Sequence, residues 1–179
     1  MSTTKVVTGP GIRFSYAHVF EPKAISEGAD KKYSVSLLIP KEDKETINKI
    51  KKAIAAALEE GKVKLGGKIP KVYKNPLRDG DEERPDDDNY VGHYFVNANS
   101  NTKPGLVDKD VNEIIDQSEF YSGCFGRASV NFYAFNTNGN KGIACGLNNL
   151  QKLKDGDNLG GGGASAAEDF GTEEDSDLM

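Results

Sequence analysis

Arg127-Ala128-Ser129-Val130-Asn131-Phe132-Tyr133-Ala134-Phe135 turns through Asn136-Thr137-Asn138-Gly139-Asn140 into Gly142-Ile143-Ala144-Cys145-Gly146-Leu147, and this stretch decides the fold class. Its residues alternate with period two, the signature of a strand with one buried face. Asn138-Gly139 tolerates the positive φ angles of a tight hairpin turn. A β-hairpin between Gly126 and Leu150 therefore anchors the reading.

The two faces of its first strand differ in chemistry. Ala128, Val130, Phe132 and Ala134 form an apolar face that should point into a barrel, leaving Arg127, Ser129, Asn131, Tyr133 and Phe135 outside. A guanidinium, small polar groups and two rings on one outward face suit a single nucleic-acid strand. Each ring can stack on a base for about 1–3 kcal/mol, and cations can follow the phosphates. The alternative is that Tyr133 and Phe135 pack beneath a helix or a long loop.

Working outward, Ile12, Phe14, Tyr16, His18 and Phe20 alternate with Arg13, Ser15, Ala17 and Val19 after Gly9-Pro10-Gly11, so a second strand is expected there. Sharing the face of Ile12, the aromatics read first as core. Tyr16 is kept as a stacking candidate, and Arg13, on the other face, is a phosphate candidate. Lys32 to Ile39 reads as a third strand, ending at Pro40 and antiparallel to the second. From Asp43 to Glu60 the period changes to that of a helix with Ile47, Ile50, Ile54, Ala57 and Leu58 on one face, Asp43 as N-cap and Gly61 as stop.

Lys62, Lys64, Lys68, Lys71 and Lys74 then run through Val63, Leu65, Ile69, Val72 and Tyr73. This reads as a basic hairpin or extended arm, serving either phosphates, with Tyr73 favouring DNA, or a solvated edge. Val91 to Asn97 is a further strand candidate, and Leu106 to Ser118 reads as irregular or partly helical.

At 179 residues and 36% hydrophobic content, the chain has room for one domain plus a tail. The boundary is read at 156/157, with Gly160 to Gly163 a flexible linker and the acidic remainder disordered. The formal charge of −5 divides unevenly. From Asp157 onward there are seven acids and no Lys or Arg, so the first 156 residues carry 23 bases against 21 acids. With Arg78 to Asp88 also set aside, 21 bases face 14 acids. A basic body with acidic appendages suits a polyanion partner.

Other function classes find little support. There is no apolar run of membrane length and no secretory leader, so the expected location is the cytoplasm. Cys124 and Cys145, with only His18 and His93 beside them, lack the spacing of a zinc site and read as reduced thiols. In Asp79-Gly80-Asp81-Glu82-Glu83-Arg84 the sixth position of a calcium loop is Arg rather than Gly. No phosphate-binding Gly-x-x-x-x-Gly-Lys motif or Gly-x-Ser-x-Gly elbow occurs. The expectation is therefore a binding protein without cofactor or metal. A metal-dependent nuclease using Asp81 and Asp86 to Asp88, and an adaptor working through its acidic tail, are the alternatives. Nothing in the sequence fixes the oligomeric state.

Ala128 to Phe135, Gly139-Asn140-Lys141-Gly142-Ile143, Gly146-Leu147-Asn148-Asn149-Leu150-Gln151-Lys152 and Asp155-Gly156 before Leu159-Gly160-Gly161 carry a family resemblance. Weaker traces lie in Arg13-Phe14-Ser15-Tyr16-Ala17 and Leu38-Ile39-Pro40-Lys41. The chain resembles a phage-encoded family of OB-fold single-stranded-DNA-binding proteins. The resemblance implies a mainly β fold, an OB-fold-like antiparallel barrel with one inserted helix. It also implies binding of single strands with little sequence preference in phage replication or recombination, in the host cytoplasm. The tail is similar to the acidic C-termini of bacterial and phage single-strand-binding proteins, which recruit replication partners. Here Glu173, Glu174, Asp175 and Asp177 precede Leu178-Met179, in place of the bacterial Pro-Phe ending. Tethered beside a cationic groove, such a polyanion should also compete with DNA.

Overall fold

The computed structural model describes residues 4–24, 28 and 30–159. Along the chain run β1 (Lys5–Val7), β2 (Ile12–Ala24), β3 (Lys31–Pro40), α1 (Lys44–Glu60), β4 (Arg78–Asp79), α2 (Gly80–Glu83), β5 (His93–Ser100), β6 (Gly105–Val107), β7 (Phe125–Thr137) and β8 (Asn140–Lys154). The order β7-β2-β3-β5-β8, with a further β7–β8 pairing, closes five of these strands into a ring. This is the arrangement of an OB-fold barrel. The strands of a closed ring of five cannot all alternate in direction, so one pairing must be parallel. It falls between β5 and β8, where Ala98 faces Cys145 and Asn99 faces Gly146. That parallel seam is the departure from an all-antiparallel barrel.

Inside the ring Phe14 lies beside Leu37, Ala98 beside Cys145 and Phe132 beside Cys145, all buried. The hairpin forms as read, with Asn138 at φ 52° and Gly139 at φ 86° making the two-residue turn. Burial also pushes the Cys145 thiol far above its ordinary pKa, so it behaves as a core residue.

Helix α1 packs on β7 and β1 through Ile47, Ile50, Ile54, Ala57 and Leu58. Asp43 caps it, its carboxylate accepting from the Thr46 backbone N–H at 3.2 Å and from the Thr46 hydroxyl at 2.7 Å. Gly61 ends the helix at φ −94°, outside the left-handed region. What excludes a side chain there is packing, since a Cβ would come within 2.3 Å of the Ala134 Cβ on β7.

Four sequence expectations change. The alternation in β2 breaks at Tyr16, whose φ of 48° belongs to a bulge; Phe14 and Val19 are buried while Tyr16 is 46% exposed. β5 begins at His93 rather than at Val91, because Gly92 at φ 78° completes the preceding turn. Lys62 to Lys74 forms no hairpin: it turns on itself at Gly66 and Gly67 and rejoins the barrel where Lys74 bridges Gly142. Between Leu106 and Ser118 there is no helix; the Asp108 carboxylate accepts from the Asp110 and Asn112 backbone N–H groups and folds the chain into a tight loop.

The chain also stays bonded to the barrel past the 156/157 boundary. Arg13 Nη2 donates to the Asp157 carbonyl at 2.9 Å, and the Leu159 backbone N–H donates to the Ser122 carbonyl at 2.9 Å. Glu173, Glu174, Asp175, Asp177, Leu178 and Met179 lie outside the described residues.

Candidate nucleic-acid interface

Because side chains alternate along a strand, the residues next to the inward ones face out, and they pair with outward residues of the neighbouring strands. Ser36 lies opposite Asn97, Ser34 opposite Asn99, Asn99 opposite Gly146 and Ala144 opposite Tyr133. These small or amide side chains form a low floor across β3, β5 and β8. Two open cavities, of about 470 and 480 Å³, meet on it at Asn97 and Asn99. Together they make one groove running from β2 to β8.

At the β2 end stand Tyr16, His18, Lys23, Lys32 and Arg84. Arg84 is held on a bed of rings, 5.0 Å from the Tyr90 centroid, 5.7 Å from Phe95 and 5.9 Å from Tyr16. It lines the cavity, and among the described residues no carboxylate forms an ion pair with it. Beneath it Tyr90, Phe95 and Leu38 form a small second core outside the barrel, fastened by the Tyr90 hydroxyl on Ser36 Oγ at 3.2 Å.

At the β8 end stand Lys74, Arg78 and Phe135. Arg78 lies 5.2 Å from the Phe95 centroid and pairs through Nε with Glu83 Oε1 at 2.8 Å. Beyond Phe135 along β7, Tyr133 is 43% exposed. Its cross-strand neighbour is the small Ala144, and a Cβ on Gly146 would sit in ordinary contact with its ring, at 3.5 Å.

The acidic run supports this wall. Lys41 Nζ bridges Asp79 at 2.8 Å and Asp81 at 2.7 Å, raising its own pKa and lowering both carboxyls. With Glu83 on Arg78, three of the carboxylates tie β4 and α2 to each other and to Lys41 at the end of β3, while β4 pairs with β5 through its backbone. No group of three or more metal-ligating side chains occurs among the described residues.

His18 is the groove's titratable element. Partial burial, then the charge of Lys23, hold its pKa below the ordinary histidine value, so it is neutral at pH 7. A bound phosphate would favour the imidazolium. Affinity for single strands should therefore rise as pH falls from about 7.5 to about 5.5, and His18→Gln should flatten that rise in anisotropy titrations. The depressed pKa acts oppositely on stability. The unfolded chain takes up the proton first, so the folded state loses stability as pH drops below the ordinary histidine value.

Of the residues singled out from sequence, Tyr16, Phe135 and Lys74 line the groove, while Tyr133, paired with Ala144 of the groove, lines a separate cavity beside the end of α1 together with Asn131 and Lys64. Arg13 does not: its guanidinium donates to the Gly123 carbonyl, Asn89 Oδ1 and the Asp157 carbonyl, and it lies 5.1 Å from the Phe125 ring. Arg127 is engaged with Gln151 Oε1 at 2.6 Å, and Asn131 accepts from the Thr4 hydroxyl at 3.1 Å. Tyr73 packs against the core. Lys62 pairs with Glu59, Lys64 borders a separate cavity beside the end of α1, and Lys68 and Lys71 are exposed on the arm.

Sequence reasoning missed Lys23, Lys32, Arg78, Arg84, Asn97 and Asn99. For the two arginines a signal existed: they are the only bases in an otherwise acidic run.

Residues 4–179 match the family model described as "Enterobacter phage Enc34, ssDNA-binding protein". Protein p50 of Acyrthosiphon pisum secondary endosymbiont phage 1 is 34% identical over 169 residues, covering 89% of each chain. A solved structure of the single-stranded DNA-binding protein from bacteriophage Enc34 in complex with ssDNA superposes with a TM-score of 0.78 at 25% identity, covering 88% of this chain and 90% of that one. The single-stranded DNA-binding protein gp2.5 of bacteriophage T7 shares the fold, with a TM-score of 0.58 at 15% identity over 92% of this chain and 99% of that one.

Proposed function

Because the chain belongs to the Enterobacter phage Enc34 ssDNA-binding protein family, we propose that it coats single-stranded DNA without sequence preference during phage DNA replication or recombination, in the host cytoplasm. The observation that carries this reading is the β2-to-β8 groove. Its floor of small side chains admits bases, rings stand at both ends, and cations flank it. Tyr16, Tyr133 and Phe135 stack on bases, while Lys23, Lys32, Lys74, Arg78 and Arg84 neutralise phosphates. Arg13, Arg127 and Asn131 act in the barrel rather than on the strand.

The chain is a barrel domain followed by an acidic tail, and the tail competes with DNA for the groove. Its root supports this: Leu159 is bonded to Ser122, whose hydroxyl accepts from the Ala17 N–H, next to Tyr16.

The test is fluorescence anisotropy of a labelled oligo-dT of about 30 nucleotides beside a duplex of equal length, at several salt concentrations. Strong preference for the single strand, with log affinity falling linearly in log salt, is expected. A chain ending at Leu159 should bind about tenfold tighter at low salt and converge with the full chain at high salt. Equal weak binding to both nucleic acids would overturn the coating role. Unchanged affinity after truncation would overturn the competition.

A further inference from the structure

The two most exposed large apolar side chains among the described residues lie on the arm from Lys62 to Lys74. Val63 is 90% and Val72 88% exposed, flanked by Lys64, Lys68 and Lys71, which have no carboxylate partner among the described residues. Yet the arm is fixed in place. Leu65 is buried in the core, Asn136 Nδ2 donates to the Lys64 carbonyl at 3.1 Å, and Lys74 exchanges backbone hydrogen bonds with the Lys141 and Ile143 backbone. A rigid display of alternating cations and valines has no role in the barrel, and Lys68 and Lys71 line neither part of the groove.

We propose that this arm receives the acidic C-terminal segment, residues 160–179, of the neighbouring copy on the same DNA strand, joining successive copies head to tail. Three observations select that occupant. The segment's chemistry is the complement of the arm's: Glu173, Glu174, Asp175 and Asp177 against lysines, Leu178 and Met179 against valines. Its root at Leu159 adjoins β2, whereas the arm rejoins the barrel at Gly142 of β8, so root and receptor flank opposite ends of the groove. Copies threaded on one strand thus bring the root of one beside the arm of the next. The twenty residues involved can span about 65 Å extended, and about 25 Å as a coil, enough to cross between adjacent barrels. Such a contact is heterologous and propagates along the strand. It rests on the proposed DNA reading only for its consequence, cooperative coating: DNA displaces the tail from its own groove and frees it for the neighbour.

The test uses the full chain with Lys68→Glu and Lys71→Glu, both exposed and outside the groove lining. A labelled peptide of residues 160–179 is titrated into protein already saturated with a short oligo-dT. It should bind the wild type and bind the double variant about tenfold more weakly. A peptide with Glu173→Lys and Glu174→Lys should prefer the variant. On a long oligo-dT the variant should lose cooperativity, while its affinity for the short oligonucleotide stays within about twofold of wild type. Equal peptide binding by both proteins, or unchanged cooperativity, overturns the inference. A parallel loss of short-oligonucleotide affinity overturns it too, because the lysines would then be phosphate contacts. If the wild type binds no oligonucleotide, the coating reading fails while the peptide titration still decides the arm.

Discussion

Replacing Tyr16 and Tyr133 together by alanine is expected to weaken oligo-dT binding by at least about thirtyfold, from a stacking contribution of about 1–3 kcal/mol per ring. Tyr16 on β2 lines the groove, Tyr133 on β7 stands opposite Ala144 of its β8 end, and each is nearly half exposed, so neither substitution empties the core. Arg84 keeps Tyr90 and Phe95 as ring contacts after Tyr16 is gone. Phenylalanine at both positions preserves the π-face and should restore most of the affinity, which separates stacking from hydrogen bonding by the hydroxyls. The anisotropy titration that reports single-strand affinity decides the matter. An alanine variant that binds like wild type would remove Tyr16 and Tyr133 from the interface.

The neighbouring residue should do the reverse. Phe132 points inward, buried against Cys145 beneath α1, and Phe132→Ala should cost about 3–5 kcal/mol in folding free energy. For a domain of this size that corresponds to a fall in melting temperature of about 10 °C, read by circular dichroism. Below its transition the folded fraction keeps the outer face intact, so single-strand affinity should remain close to wild type. Adjacent residues on one strand then separate stability from binding, as period-two alternation requires. A variant with unchanged melting temperature would contradict the inward placement of Phe132.

The hairpin, the helix with its Asp43 cap and the inward set on β7 were legible because each depends on local periodicity, capping chemistry and turn preference. The same holds for the outward placement of Tyr133 and Phe135. Tyr16 read first as core, and stood beside that only as a stacking candidate, because a single bulge residue inverts the alternation and nothing in Phe14-Ser15-Tyr16-Ala17 announces it. Arg13 looked like a phosphate contact because its strand position faces outward; its partners Asn89, Gly123 and Asp157 are remote in sequence.

What the sequence by itself determined is the type and faces of the main elements, the division of charge between body and tail, and the family, all of which follow from neighbouring residues or from quoted motifs. The tertiary structure alone decided which outward faces join. Closing five strands through one parallel seam sets Asn97 and Asn99 beside Ala144 and Gly146, and folding the acidic run over β5 turns Arg78 and Arg84 toward the groove. Those juxtapositions depend on long-range register, which local preference does not encode.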